Sequence, residues 1–157
     1  MLIRDYMKLA IEEAKLSLIS GDVPIGALIV HQGEIIAKAH NQVEELKNPL
    51  AHAEITAINL ASQFLSSKFL LDCDMYVTLE PCSMCAGAIV LSKIRRLYIG
   101  AEDEKTGACG SVYNIVQNYR LNHQTELYTG ILKDECSKII TDFFEDLRAK
   151  KGKIKYR

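Results

Sequence analysis

Apolar residues near the start of the chain recur at helical spacing. Ile3, Tyr6, Met7, Ala10, Ile11, Ala14 and Leu18 fall in one stripe, which predicts an amphipathic helix. The polar stretch "SGDVP" ends it. "IGALIVH" and "EIIAKAH" then read as two strands joined at Gln32-Gly33, a pair suited to a tight hairpin turn. A polar loop runs through Asn48-Pro49, and a second helix is predicted from about His52 to Phe64. "DMYVTL" reads as a third strand, and Pro81 opens a third helix over "CSMCAGAIVLS", since proline suits a first helical turn. "RRLYIG" is a fourth strand. The glycine-containing loop "AEDEKTGACGS" follows, then a short helix near Tyr113–Gln117 and a weak strand near "ELYTG". The last helix carries Cys136, Ile139, Ile140, Phe143, Phe144 and Leu147 on one face. Asp134 and Glu135 open it and basic residues close it, the order the helix dipole favours.

This alternation predicts an α/β protein, a mixed sheet with helices on both faces. Strands three to five, each separated by helical or loop sequence, are expected to run parallel. The 157 residues suffice for one domain and are short for two. We therefore expect a single domain over 1–157, with a basic tail from about residue 148. That tail holds Arg148, Lys150, Lys151, Lys153, Lys155 and Arg157 and no acid. The whole chain has a net charge of only −1, so it is no general polyanion binder, and the charge is concentrated at one end. Apolar residues make up 48% and charged residues 25%, which excludes disordered and fibrous classes. Charges interrupt the first residues, so no signal peptide is expected. No apolar run approaches the roughly 18 residues of a membrane helix. The five cysteines are an odd count, and two form a C-x-x-C. That favours reduced thiols with a metal or catalytic use, and hence the cytoplasm.

The candidate chemistry lies at two predicted helix starts. Cys82 and Cys85 are three apart on one helix, so their thiols share a face. Both fall in the first turn, where the dipole favours thiolate. His52 stands at the start of another helix. One imidazole and two thiolates suit zinc, and three protein ligands leave a fourth position open for catalysis. Taken singly, the histidine reads equally as a polar cap and the C-x-x-C as a redox motif. A structural zinc site would need a fourth ligand, and Cys73, Cys109, Cys136, His40 and His123 are available for one. Cys136 lies on the apolar stripe of the last helix, which favours core packing for it.

Glu54 stands two residues after His52 in "AHAE". Residues two apart on a helix point to different sides, so the pair does not read as two ligands. Beside an open metal position, Glu54 suits a general acid/base. Zinc lowers the pKa of bound water to around 7, and a neighbouring carboxylate can take that water's proton. Alone, Glu54 would read as a solvated first-turn acid. Backbone N–H groups near Ala53 and Cys82, at helix starts, can hold an oxygen anion.

His52-Ala53-Glu54 and Pro81-Cys82-Ser83-Met84-Cys85 match the H-x-E…P-C-x-x-C signature of zinc nucleobase deaminases. The resemblance extends further. "DVPIGALIV", "AHAEITAI", "YVTLEPCSMCAGAIVLSKIRRLYIGAEDEKTGACGS" and "GILKDECSKIITDFF" resemble the bacterial tRNA-specific adenosine deaminases. The likeness covers roughly residues 5–148. It implies a three-layer cytidine-deaminase-like fold with a five-stranded mixed sheet, a homodimer and one catalytic zinc per chain. It also implies adenosine-to-inosine hydrolysis at the wobble position of tRNA, chiefly an arginine tRNA, with the anticodon loop as partner. By the same resemblance His52, Cys82 and Cys85 are zinc ligands and Glu54 is the proton shuttle. Asn41 is the asparagine that bonds the flipped base, and Asp103 and Lys105 are polar contacts to neighbouring nucleotides. Cys109 departs mildly from the family, which often has a smaller residue there. A basic tail with Tyr156 can follow phosphates and stack on a base, or stay solvated. The rival readings are a deaminase of free guanine, cytosine or a riboflavin precursor, and a zinc-stabilised binding module without catalysis.

Overall fold

The computed structural model describes residues 1–150. Tail residues Lys151, Lys153, Lys155, Tyr156 and Arg157, offered above as RNA contacts, lie outside the described residues.

Helix α1 (Ile3–Lys15) buries Tyr6, Met7, Ala10, Ile11 and Ala14. The apolar stripe was expected to reach Leu18. Instead the chain tightens into a 3-10 helix over Leu16–Ser20, and Leu18 is exposed. Three residues per turn rotate the stripe, so Ser17 becomes the buried residue. Strands β1 (Gly26–His31) and β2 (Glu34–His40) form the predicted hairpin. Gln32 and Gly33 both have positive φ, 50° and 78°, which matches the strand twist at a two-residue turn. One helical turn, α2 (Val43–Leu46), interrupts the polar loop.

The remaining elements are α3 (Ala53–Leu65), β3 (Cys73–Leu79), α4 (Ser83–Ser92), β4 (Arg96–Ala101), β5 (Glu126–Tyr128) and α5 (Lys133–Ala149). The five strands make one sheet in the order β2-β1-β3-β4-β5. β1 pairs antiparallel with both β2 and β3, whereas β3–β4 and β4–β5 are parallel. The mixed sheet and its parallel half are as expected.

Alternate strand residues face opposite layers. Ala27, Ile29, Met75, Val77, Leu97 and Ile99 pack with Ala53, Ala57 and Ala61 of α3 and Ala86 and Ile89 of α4. Leu28, Val30, Tyr76 and Tyr98 pack instead with Tyr6, Met7, Ala10 and Ile11 of α1 and with Cys136 of α5. The result is three layers. On the α1 side Tyr6, Tyr76, Tyr98 and Tyr128 form a ladder, with successive ring centroids 5.0, 4.5 and 5.0 Å apart. Burial there pushes the Tyr76 hydroxyl well above its ordinary pKa.

Two expectations are corrected. Pro81 does not open the third helix. Cys82 is its N-cap, in an extended conformation, and Ser83 is the first helical residue. The Pro81 carbonyl instead accepts the Ala108 N–H at 2.8 Å. No helix forms near Tyr113–Gln117. The Val112 and Tyr113 N–H groups bond Gly107 O, Ile115 N–H bonds Ala108 O, and Asn114 bridges to Cys109. The bond such a helix needs, from Gln117 N–H to Tyr113 O, is pre-empted at both ends: Gln117 N–H donates to Asn114 Oδ1 at 3.2 Å and Tyr113 O accepts the Gly110 N–H at 2.7 Å.

Gly26 marks the closest approach of sheet and helix. A Cβ there would lie 2.0 Å from Ala10 O and 2.7 Å from Ala14 N. Both obstacles are backbone atoms, which cannot rotate aside. Gly26→Ala is expected to destabilise the fold by about 3 kcal/mol or more, read as a lowered urea midpoint with an unchanged m-value.

Candidate active site

The sheet carries α3 and α4 on one face with their N-termini together. His52 is the N-cap of α3 (φ −78°, ψ 147°) and Cys82 the N-cap of α4 (φ −73°, ψ 178°). Neither side chain caps its own helix. Both turn towards each other instead. His52 Nδ1 lies 3.6 Å from Cys82 Sγ and 3.4 Å from Cys85 Sγ. The three ligand atoms are within 4.8 Å of one another. His52 and Cys85 are buried and Cys82 is half-buried. An ion bound tetrahedrally at ordinary zinc–sulfur and zinc–nitrogen lengths has an N-to-S edge of about 3.6 Å. The observed separations fit that edge, and the donor set fits zinc.

Two helix N-termini converge on this point. Their unpaired N–H groups and dipoles favour anionic sulfur, and a cation then neutralises the pair. None of the alternative fourth ligands joins the group. His40 Nδ1 sits 3.3 Å from Glu13 Oε1, and His123 Nε2 lies 2.7 Å from Ile94 O. Burial, then Asp74 and Asp72, pushes the Cys73 thiol up to about 11. Burial, then Glu135, takes Cys136 up to about 12. Cys109 is the nearest outsider. Burial, then the charges of Glu80, Glu54 and Cys82, raises its pKa, so it stays a protonated thiol.

Glu54 is fully buried, 0% exposed, in the first turn of α3. That rules out the solvated first-turn acid. Its charge acts on the Cys109 thiol, as does that of Cys82. Ala53, also buried, is the first residue of α3. Its N–H has no acceptor within its own helix, so it can meet an oxygen beside the metal group.

Asn41 follows β2 and is 1% exposed. Its backbone is pinned twice. Its N–H donates to Ile25 O at 3.0 Å, and its carbonyl accepts the Ser17 hydroxyl at 2.8 Å. The side-chain amide makes no such bond, for both Nδ2 and Oδ1 are buried without a partner. A buried, unpaired amide costs about 1–3 kcal/mol. That is an arrangement suited to a ligand edge offering one donor and one acceptor. Asp22, also buried, steadies the same wall. Its carboxylate accepts the Glu44 and Glu45 N–H groups of α2 and the Ser20 hydroxyl.

Asp103 and Lys105 both lie on the loop after β4. The Asp103 carboxylate is occupied within its own loop, by the Lys105 and Thr106 N–H groups and the Thr106 hydroxyl. Lys105 is exposed on that loop. Sequence reasoning passed over Ser17, Asp22 and Glu80. The signal for Glu80 was an acid between a buried strand and a proline, a costly position unless it is bonded.

A family model of the MafB19-like deaminases matches residues 3–148. A tRNA-specific adenosine deaminase of Bacillus subtilis is 48% identical over 93% of this chain and 91% of its own length. One from Aquifex aeolicus is 48% identical over 91% and 94%. This chain belongs to the tRNA-specific adenosine deaminase family. The fold agrees with that membership. A solved structure from a study of A-to-I editing by tRNA:A34 deaminases superposes with a TM-score of 0.82, at 41% identity, over 86% of this chain and 98% of the other. The His52, Cys82 and Cys85 group sits within the matched region of the family.

The geometry makes Cys82 dispensable for the fold, since it lies at a helix end and is half-buried, but not for the metal. Cys82→Ser is expected to reduce bound zinc from about one ion per chain to nearly none, with the circular dichroism spectrum retained. Elemental analysis of the purified variant checks this.

Proposed function

We propose that this chain hydrolyses adenosine to inosine at the wobble position of tRNA, chiefly an arginine tRNA. The observation that carries the reading is the fully buried Glu54, two residues after His52, together with a His52–Cys82–Cys85 group that offers three ligand atoms within 4.8 Å of one another. His52, Cys82 and Cys85 would hold one zinc ion per chain. When bound, the ion supplies Lewis acidity that makes water a nucleophile near neutral pH.

The chain's own residues do the rest. Glu54 takes a proton from the attacking water and passes it to ring N1 of the adenine. It then carries the second proton to the departing amino group, so water and adenosine give inosine and ammonia. The N–H groups of Ala53 and the start of α4 face the oxygen that becomes the product carbonyl. Asn41 offers its amide to the edge of the base, and its backbone bonds to Ile25 and Ser17 fix that amide's position. A base that leaves its stack can enter such a pocket, and a single-stranded loop releases one more readily than a duplex. Exposed Lys105 adds charge near the entering strand.

The same reading includes a homodimer. Leu60 and Phe64 are exposed on α3, by 40% and 63%, and Leu91 on α4 by 78%. A second copy would cover this apolar face. No helix among the described residues is long and apolar enough to cross a membrane. None of the five cysteines forms a disulfide, a state the reducing cytoplasm maintains.

An anticodon stem-loop with adenosine at the wobble position, tested beside free adenosine, cytidine, cytosine and guanine, decides the substrate. Inosine in the stem-loop alone is the expected result. Turnover of a free base with an inert stem-loop would overturn the proposal. Glu54→Ala is expected to lower kcat by about 10²–10⁴-fold while zinc content is unchanged, as measured by single-turnover assay and elemental analysis. Asn41→Ala is expected to weaken substrate capture, with KM rising about tenfold for the loss of its hydrogen bonds.

A further inference from the structure

Glu80 is the residue just after β3 and just before Pro81-Cys82. It is a carboxylate with 2% exposure. A group of that kind is stable in a protein interior only when its lone pairs are met. Four donors meet them, all from one loop. Oε1 accepts the Asp103 N–H at 3.1 Å and the Ser111 hydroxyl at 2.5 Å. Oε2 accepts the Cys109 N–H at 2.9 Å and the Ser111 N–H at 3.1 Å. Three are backbone groups, so the fastening reads the loop's path, and the Ser111 hydroxyl is the one side chain that adds to it.

The loop closes tightly over this carboxylate. Gly107 packs against it, and a Cβ there would lie 2.4 Å from both Cδ and Oε2 of Glu80. The Gly107 N–H bonds Asp103 O, and Ala108 N–H bonds Pro81 O, each at 2.8 Å. The Glu80 N–H itself bonds Ala101 O at 2.9 Å. The loop is thereby tied to the backbone of the segment that starts the metal helix. Its outer rim stays exposed at Glu102, Glu104, Lys105 and Thr106.

We infer that Glu80 is a positioning residue, one that holds the 102–111 loop in the shape that receives the polynucleotide flanking the target base. Glu80 touches no reacting atom. It acts through the loop, on substrate capture more than on the chemical step. This rests on the deamination reading above. A carboxylate is needed because all four partners donate. The glutamine amide has the same shape but offers only one acceptor oxygen and turns N–H donors towards N–H donors.

The test compares wild type, Glu80→Gln and Gly107→Ala. In Glu80→Gln, KM for the anticodon stem-loop is expected to rise about tenfold or more, with kcat falling less than about threefold and zinc content unchanged. Trypsin is expected to cut after Lys105 about tenfold faster in the same variant, relative to its other sites, because the loop opens more often. Gly107→Ala keeps the carboxylate but crowds the loop away from it, so it should give the same pattern. It decides the matter if Glu80→Gln fails to fold. An unchanged KM and unchanged cutting in both variants, with wild type active, would overturn the inference. So would loss of zinc with a matching collapse of kcat, which would make Glu80 a support of the metal helix. If wild type leaves the stem-loop untouched, the deamination reading falls, and the cutting rate after Lys105 still decides whether Glu80 fastens the loop.

Discussion

Two cysteine sulfurs and an imidazole nitrogen held within 4.8 Å of one another concentrate soft donors at one point, an arrangement that a shared cation would satisfy. The rest of the structure makes that concentration of donors tolerable. α3 and α4 rest side by side on one sheet face, and both begin at the site with unpaired N–H groups. The parallel pairing of β3 with β4 forces the chain to cross over through α4, which delivers Cys82 and Cys85 to the edge where α3 begins. Ala53, Ala57 and Ala61 let α3 lie close to the sheet. A larger residue in that row would lift His52 away from the sulfurs.

Around this centre the walls are held by polar side chains that face backbone. Ser17 fixes the Asn41 carbonyl, Asp22 fixes the start of α2, and Glu80 fixes the loop from Asp103 to Ser111. Each is buried and each has its bonds made. Asn41 is the exception, with both amide atoms buried and unpartnered. The site is therefore rigid except where one polar edge waits for another. Preorganised polar groups of this kind reorganise little during reaction, which is what makes them effective.

Much of this was legible in the sequence because it depends on period and spacing. The α1 stripe, the Gln32-Gly33 turn and the spacing that brings His52, Cys82 and Cys85 together are patterns that local geometry dictates. The failures have one cause, which is tertiary bonding that overrides local preference. Leu18 had the right period, but a 3-10 turn faced Ser17 inward. Tyr113–Gln117 had a helical composition, but Tyr113 O was taken by Gly110 and Gln117 N–H by Asn114. Asp103, expected by resemblance to contact nucleotides, also caps its own loop, a role its local sequence did not announce. Glu80 carried only a local hint, an acid between a buried strand and a proline, because its partners lie more than twenty positions away, from Asp103 onwards. No window along the chain contains both.

The fastening of the 102–111 loop through main-chain N–H groups separates two kinds of change. Substituting Glu102 or Glu104, whose side chains are exposed, leaves every bond to Glu80 intact and leaves the metal ligands untouched. The exposed rim can thus vary while the bonds beneath it stay the same. In evolutionary terms, under the role inferred for this loop, the fold keeps its chemistry and its choice of target on separate parts of the chain, so a descendant can acquire a new target without relearning how to remove an amine.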